Sequence, residues 1–172
     1  MDAAVKTRAT VPEPLEQVWA WLGEVMDPEI PVLSVVDLGI VRGLHWEGSD
    51  EDAQLVLTYT PTYSGCPALE VINADMKAAL HTHGISNVRL EQRLSPAWTT
   101  DWLTDSGRQR LKTYGIAPPA CDSCVARKIA TRMAQRAATN AAPAVECPQC
   151  GSHHTHISSA AGSTRCKALY VC

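Results

Sequence analysis

Hydrophobic residues recur at helical spacing in three parts of the chain. Residues 13–26 carry an apolar stripe, and prolines that cannot continue a helix follow it. A second stripe runs over 68–81, where the nearby Gly84 suits a left-handed helix cap. A third helix is predicted over 101–114, closed by Gly115.

Between these helices the pattern becomes strand-like. An apolar run over 54–60 predicts a buried strand, and strict alternation over 87–94 predicts a half-buried one. Segments 32–36 and 40–46 are further extended candidates. The order helix, strands, helix, strand, helix predicts an α+β fold with a small mixed sheet and helices on one face.

The composition changes after Ala117, where two prolines interrupt the chain. We therefore expect an α+β domain over 1–117, a mobile linker over 118–145 and a zinc-ribbon-like module over 146–172. The linker includes a basic amphipathic segment over 125–138. It could bind an acidic partner, but a connecting helix with a solvated face is the preferred interpretation.

Charge and cysteine content narrow the class of protein. The formal net charge of −3 gives no nucleic-acid signature. The sequence shows neither an apolar leader nor a run long enough to cross a membrane, so we expect a cytoplasmic protein without a membrane partner. Seven cysteines in such a chain favour metal ligands or reactive thiols over disulfides.

The C-terminal cysteines predict a metal site. Cys147 and Cys150 have the spacing of a zinc knuckle, and Cys166 and Cys172 could complete a set of four thiolates. Three histidines nearby, His153, His154 and His156, could compete for the metal, although a solvated loop is the simpler interpretation. Weaker metal candidates are Cys121 and Cys124, which could also be a redox pair or exposed spare thiols.

Cys66 is the candidate functional thiol. It follows a predicted strand and precedes Pro67, which suits the first position of a helix. Cys66 would then be the N-cap, where backbone N–H groups and the helix dipole lower a thiol pKa. A small buried cysteine at a turn is the alternative.

Three carboxylates lie at chain reversals before this strand: Asp27, Glu29 and Asp37. Such residues usually accept hydrogen bonds from nearby backbone N–H groups. Beside a thiolate they could instead help to hold iron or orient a partner. The sequence assigns no catalytic residue, since it contains no phosphate loop, serine–histidine–aspartate signature or dinucleotide fingerprint, and this weakens the interpretation as an independent enzyme.

Several segments together resemble a known family. Residues 27–41 read DPEIPVLSVVDLGIV, residues 60–67 read TPTYSGCP and residues 96–102 read PAWTTDW, followed by the CPQC knuckle and by GSTRCKALY over 162–170. In this order they resemble the PaaD family of phenylacetate degradation along nearly the whole chain. The first part also resembles the broader iron–sulfur assembly family that includes SufT.

The resemblance implies a small α+β domain whose reactive cysteine corresponds to Cys66. It also implies an association with the multicomponent monooxygenase that epoxidises the ring of phenylacetyl-CoA, as an accessory or maturation factor. Family members typically continue past the position of Cys172 with another cysteine, whereas this sequence stops there. The resemblance therefore leaves the fourth metal ligand open.

These observations support three hypotheses. In the first, Cys66 transiently binds iron or an iron–sulfur cluster, shared across a homodimer or with a client, and relays it to the oxygenase or reductase of the epoxidase system. The ribbon would hold structural zinc and dock the partner. In the second, the protein is a stable structural subunit without metal relay. The third, a thiol-dependent enzyme, lacks an identifiable base.

Overall fold

The computed structural model describes residues 12–49, 52–119, 145–162 and 167–172. The first part of the chain forms an α+β domain with the elements α1 (Leu15–Leu22), β1 (Val41–Glu47), β2 (Gln54–Tyr59), α2 (Leu69–Thr82), β3 (Val88–Gln92) and α3 (Asp105–Tyr114). At the C-terminus β4 (His156–Ser159) and β5 (Leu169–Val171) pair as an antiparallel ribbon. The predicted α+β class is confirmed.

The domain is built on a mixed sheet in the order β1-β2-β3. β1 pairs antiparallel with β2, and β2 pairs parallel with β3, so α2 is the crossover between two parallel strands. One face of the sheet packs against α1 and α2, in a core that includes Leu22, Leu55, Leu57, Ile72, Met76 and Leu80. The other face carries an ion-pair network of Glu47, Arg89, Glu91 and Arg93. The helices therefore lie on one face, because only that face is apolar.

The structure differs from the predicted elements in the segment before β1. Residues 32–36 form turns, apart from an isolated bridge between Met26 and Ser34. Leu33 and Val35 are nevertheless fully buried, so the apolar run that resembles a strand is a loop packed into the core. The helix before it is also shorter than predicted, ending at Leu22.

The third helix begins later than predicted. A short 3-10 helix occupies Thr100–Trp102, and α3 starts at Asp105 after Thr104, whose side chain accepts a hydrogen bond from the Gly107 N–H. The predicted turn glycines after the second and third helices have positive φ angles, 87° at Gly84 and 90° at Gly115.

Most of the predicted linker, including its basic segment and Cys121 and Cys124, lies outside the described residues. The proposed limits of the linker therefore stay a prediction. Among the residues that are described, no helix is both long enough and apolar enough to cross a membrane.

Candidate functional site

The loops that carry the three N-terminal motif segments meet at one edge of the sheet. Tyr59 at the end of β2 pairs with Val41 at the start of β1 and with Gln92 at the end of β3. The loop before β1, the loop after β2 and the loop after β3 therefore all leave this edge. Ligand sites in sheets with parallel strands commonly lie at the carboxyl ends of those strands.

Cys66 lies in the loop between β2 and α2 at this edge. Its backbone N–H donates to Tyr63 O over 3.3 Å, and its carbonyl accepts from Leu69 N over 3.2 Å. The helix itself starts at Leu69, preceded by Ala68 in helical conformation. Cys66 is therefore in the turn before the helix and not at its N-cap as predicted.

The predicted fall in the pKa of the Cys66 thiol is also wrong. Burial raises this pKa above its ordinary value of 9.0, and the negative charges of Glu29 and Asp27 raise it further. The Ala68 N–H and the Tyr63 side chain favour the thiolate but do not outweigh these effects. The half-buried thiol is thus held in its protonated form near neutral pH.

Asp27 shapes the acidic loop beside this thiol. Its Oδ1 accepts hydrogen bonds from the backbone N–H groups of Glu29, over 2.8 Å, and Ile30, over 2.7 Å. Burial raises the pKa of Asp27, against the effect of those two N–H groups, while the charge of Glu29 raises it and that of Lys167 lowers it. Of the three carboxylates predicted to support the thiol, Asp27 and Glu29 act on it electrostatically.

Asp37, the third carboxylate, joins the loop before β1 to α3. Its Oδ1 accepts from the hydroxyls of Thr104 and Ser106, each over 2.9 Å, and its Oδ2 accepts from the N–H and hydroxyl of Ser34 and from Arg110. Although burial acts in the opposite direction, these hydrogen bonds hold the pKa of Asp37 below its ordinary value. With both oxygens engaged, Asp37 is suited to a structural role.

Two tryptophans brace the same loop. The Trp98 indole N–H donates to Leu38 O over 2.8 Å, and the Trp102 ring lies under the Arg42 guanidinium, 3.6 Å from it. Gly39, with φ of 66°, allows the Trp102 backbone to approach, since a Cβ there would overlap the Trp102 carbonyl. The sequence shows both tryptophans in a motif, but gives no signal of which loop they contact.

The second site is a cluster of three thiols in the ribbon. The sulfur atoms of Cys147, Cys150 and Cys172 all lie within 4.8 Å of one another, and those of Cys150 and Cys172 are 3.9 Å apart. Tetrahedral zinc with Zn–S bonds of about 2.3 Å places its sulfurs about 3.8 Å apart. The donor set and its spacing therefore fit zinc. Cys166, the other predicted ligand, lies outside the described residues.

The knuckle geometry explains why the first thiol is suited to metal. Gly151 N donates to Cys147 O over 2.8 Å, and Gly151 has φ of 70°. The backbone N–H groups of Cys150 and Gln149 face the Cys147 sulfur and hold its pKa below the ordinary value. A thiolate is the form that binds the ion.

The ribbon contacts the α+β domain at two places. Near the end of α3, Lys112 pairs with Glu146 over 3.3 Å, and the side-chain amide of Gln149 packs against Gly115. At the acidic loop, Lys167 Nζ donates to the Glu29 carbonyl over 3.3 Å. The second contact brings a cation from the ribbon to the surroundings of Cys66.

Comparisons with known proteins divide the chain in the same order. Residues 15–89 match a family model described as "Iron-sulfur cluster assembly protein", and residues 131–172 match "PaaD zinc beta ribbon domain". The chain is 44% identical over 165 residues to the Escherichia coli K12 protein PaaD, a putative component of 1,2-phenylacetyl-CoA epoxidase. That similarity covers 95% of this chain and 90% of the relative.

Two further similarities concern the first part of the chain. A Bacillus subtilis protein named "Fe-S protein maturation auxiliary factor YitW" is 32% identical over 90 residues, covering 52% of this chain and 84% of that protein. The crystal structure of a domain of unknown function, DUF59, from Bacillus anthracis superposes with a TM-score of 0.50 at 28% identity. It covers 56% of this chain and 89% of that domain.

Proposed function

Because this chain belongs to the PaaD family, in which an iron–sulfur-assembly domain precedes a zinc ribbon, we propose that it is a maturation factor of a phenylacetyl-CoA epoxidase system. Its cargo is iron or an iron–sulfur cluster, and the recipient is the oxygenase or the reductase component. The protein itself catalyses no step of the epoxidation.

The observation that carries this proposal is the position of Cys66 beside Asp27 and Glu29 at the carboxyl edge of β2. A thiolate is the usual protein ligand of iron–sulfur clusters, and carboxylates are ligands of iron. Because burial and acidic neighbours disfavour the free thiolate, binding of a metal must displace the thiol proton. Cargo binding is thereby weakened, which suits a carrier that must release what it holds.

The same environment argues against a thiol-dependent enzyme. The nucleophilic form of cysteine is the thiolate, and reactive cysteines lie in electropositive surroundings that lower the pKa. Cys66 has carboxylates as neighbours and a raised pKa. A carrier of a cation is therefore the better assignment for this thiol.

The ribbon would hold one structural zinc ion through Cys147, Cys150 and Cys172 with one further ligand. Structural zinc supplies folding free energy to modules too small for a core of their own. In this proposal the ribbon is a separately stabilised module that recruits the client, while the α+β domain carries the cargo. Sharing of the cargo between two copies of the chain belongs to the same proposal.

Cys66→Ser tests the carrier role. A strain lacking the natural protein would be complemented with the wild type, Cys66→Ser or the neighbouring control Ser64→Ala, and grown on phenylacetate. We expect Cys66→Ser to fold but not to support growth, with oxygenase or reductase that is poor in iron when purified. Normal growth with a folded Cys66→Ser protein would refute the relay of metal through this thiol.

A stable structural role in the oxygenase complex is the second candidate, and the ribbon surface favours it. The hairpin exposes the apolar side chains of Ile157, Leu169, Tyr170 and Val171, each between 38% and 53% exposed. Such a surface suits a lasting interface. A structural component would remain in stoichiometric complex with the fully active oxygenase, and metal-loaded oxygenase and reductase would need it for turnover. A maturation factor would be dispensable after loading.

A further inference from the structure

Lys167 links the ribbon to the loop beside Cys66. It lies two residues before β5, and its Nζ donates to the Glu29 carbonyl, 138 positions away in the sequence. Its charge also acts on Asp27, which is buried and holds the Glu29 and Ile30 N–H groups. One ribbon side chain therefore contacts the loop that supplies the acidic neighbours of the thiol.

The position of Lys167 depends on the fold of the ribbon. Its carbonyl accepts a hydrogen bond from Gly162 N, and β5 follows and leads directly to Cys172 in the thiol cluster. A ribbon this small depends on its metal for folding. Loss of the ion would release β5 and, with it, Lys167.

We propose that Lys167 is a positioning residue of the Cys66 site, which holds the Asp27–Glu29 loop beside the thiol only while the ribbon is folded around its metal. Cys66 takes its role here from the function proposed above, but the coupling is a property of the fold. A chain that has lost the ribbon metal would keep the thiol and lose the ordered carboxylates next to it. The cargo site would then be competent only in fully metallated protein.

Hydrogen exchange of the full zinc-loaded chain, read by mass spectrometry, tests this coupling. Lys167→Met removes the amine, Lys167→Arg retains a donor, and Lys112→Met is the matched control because it removes the contact with Glu146 elsewhere on the ribbon. Cys150→Ser disrupts the thiol cluster. The reporters are the Glu29 and Ile30 amides, and α2 serves as the internal reference.

Loss of one hydrogen bond to a charged group predicts about five- to tenfold faster exchange of the reporter amides in Lys167→Met. Cys150→Ser should show the same change, while Lys167→Arg and Lys112→Met should behave as the wild type and α2 should be unaffected. Unchanged exchange in Lys167→Met, or no rescue by arginine, would overturn the positioning role. Unchanged exchange in Cys150→Ser would overturn its dependence on the metal.

This experiment is independent of the test of function. It contains no iron and no client, so a negative result would leave the growth assay of Cys66→Ser to decide the carrier role. Conversely, growth supported by Cys66→Ser would remove the proposed function and leave the exchange result standing.

Discussion

Arg110 on α3 donates a hydrogen bond over 2.9 Å to Asp37 in the loop before β1. The arginine side chain is 52% exposed and the aspartate side chain 9% exposed. The pair thus attaches the surface of a late helix to a buried carboxylate at the functional edge of the sheet. Because Asp37 also binds Ser34, Thr104 and Ser106, it is the centre of a network whose loss would affect both segments.

Asp37→Asn should lower the free energy of unfolding by about 2–4 kcal/mol, because an amide cannot accept all of these hydrogen bonds. Urea denaturation at neutral pH measures the loss. The exposed Asp75→Asn on α2 is the control and should be nearly neutral. Equal effects of the two substitutions would contradict the structural role of Asp37.

The same residue predicts a dependence on pH. The folded pKa of Asp37 is below its ordinary value of 3.8, so its ionised form stabilises the fold at every pH above that value. As pH falls below 3.8 and through the lower folded pKa, this contribution disappears. The difference in stability between the wild type and Asp37→Asn should therefore be constant near neutrality and shrink in acid.

Gly39→Ala should destabilise the protein by about 2–4 kcal/mol, from strain at a φ of 66° together with overlap with the Trp102 backbone. Gly84→Ala is a matched control, because Gly84 has φ of 87° but open space where the Cβ would lie. It should cost about 1–2 kcal/mol, from strain alone. Equal denaturation midpoints would show that the contact with Trp102 contributes nothing.

Protein purified without added metal should contain about one zinc ion per chain. Cys147→Ser and Cys150→Ser should each lose most of it, while circular dichroism shows the α+β domain still folded. Mass spectrometry of the metal content makes the measurement, with Cys66→Ser as the variant expected to retain zinc. Zinc lost equally from Cys66→Ser would show that the ribbon thiols are not the specific ligands of the ion.

Alkylation of Cys66 at pH 8 should be slower than that of an unstructured cysteine peptide, because burial and acidic neighbours raise its pKa. Glu29→Gln removes one of these charges and should accelerate the reaction about two- to fivefold. Glu24→Gln, on the exposed surface after α1, is the control. Labelling resolved by peptide mass spectrometry separates Cys66 from the other thiols, and an unchanged rate in Glu29→Gln would contradict the electrostatic assignment.

The helices were predictable from the sequence because the spacing of their apolar residues is a local signal. Segment 32–36 was not, because Leu33 and Val35 are buried by contacts that local pattern does not encode. The Cys66 environment failed for the same reason. Reasoning from the following helix alone predicted a lowered pKa, whereas Asp27 and Glu29, distant in sequence, act in the other direction.

The metal site shows how far spacing alone can go. The pair Cys147 and Cys150 is recognisable because a knuckle is formed by adjacent residues. The approach of Cys172 to this pair depends on the pairing of β4 with β5, which brings the end of the chain back to the knuckle. The contact of Lys167 with Glu29 is more distant still, and no motif indicates it.

The arrangement of loops around the sheet also offers a practical handle for studying encounters with clients. The motif loops leave one edge, whereas Glu47 and Gln54, which flank the connection between β1 and β2, pair at the opposite edge. Connections of this kind generally tolerate insertions. A fluorophore or a short affinity tag introduced after Ser49 would be held across the sheet from Cys66, where it could report on complex formation without crowding the surface through which cargo leaves.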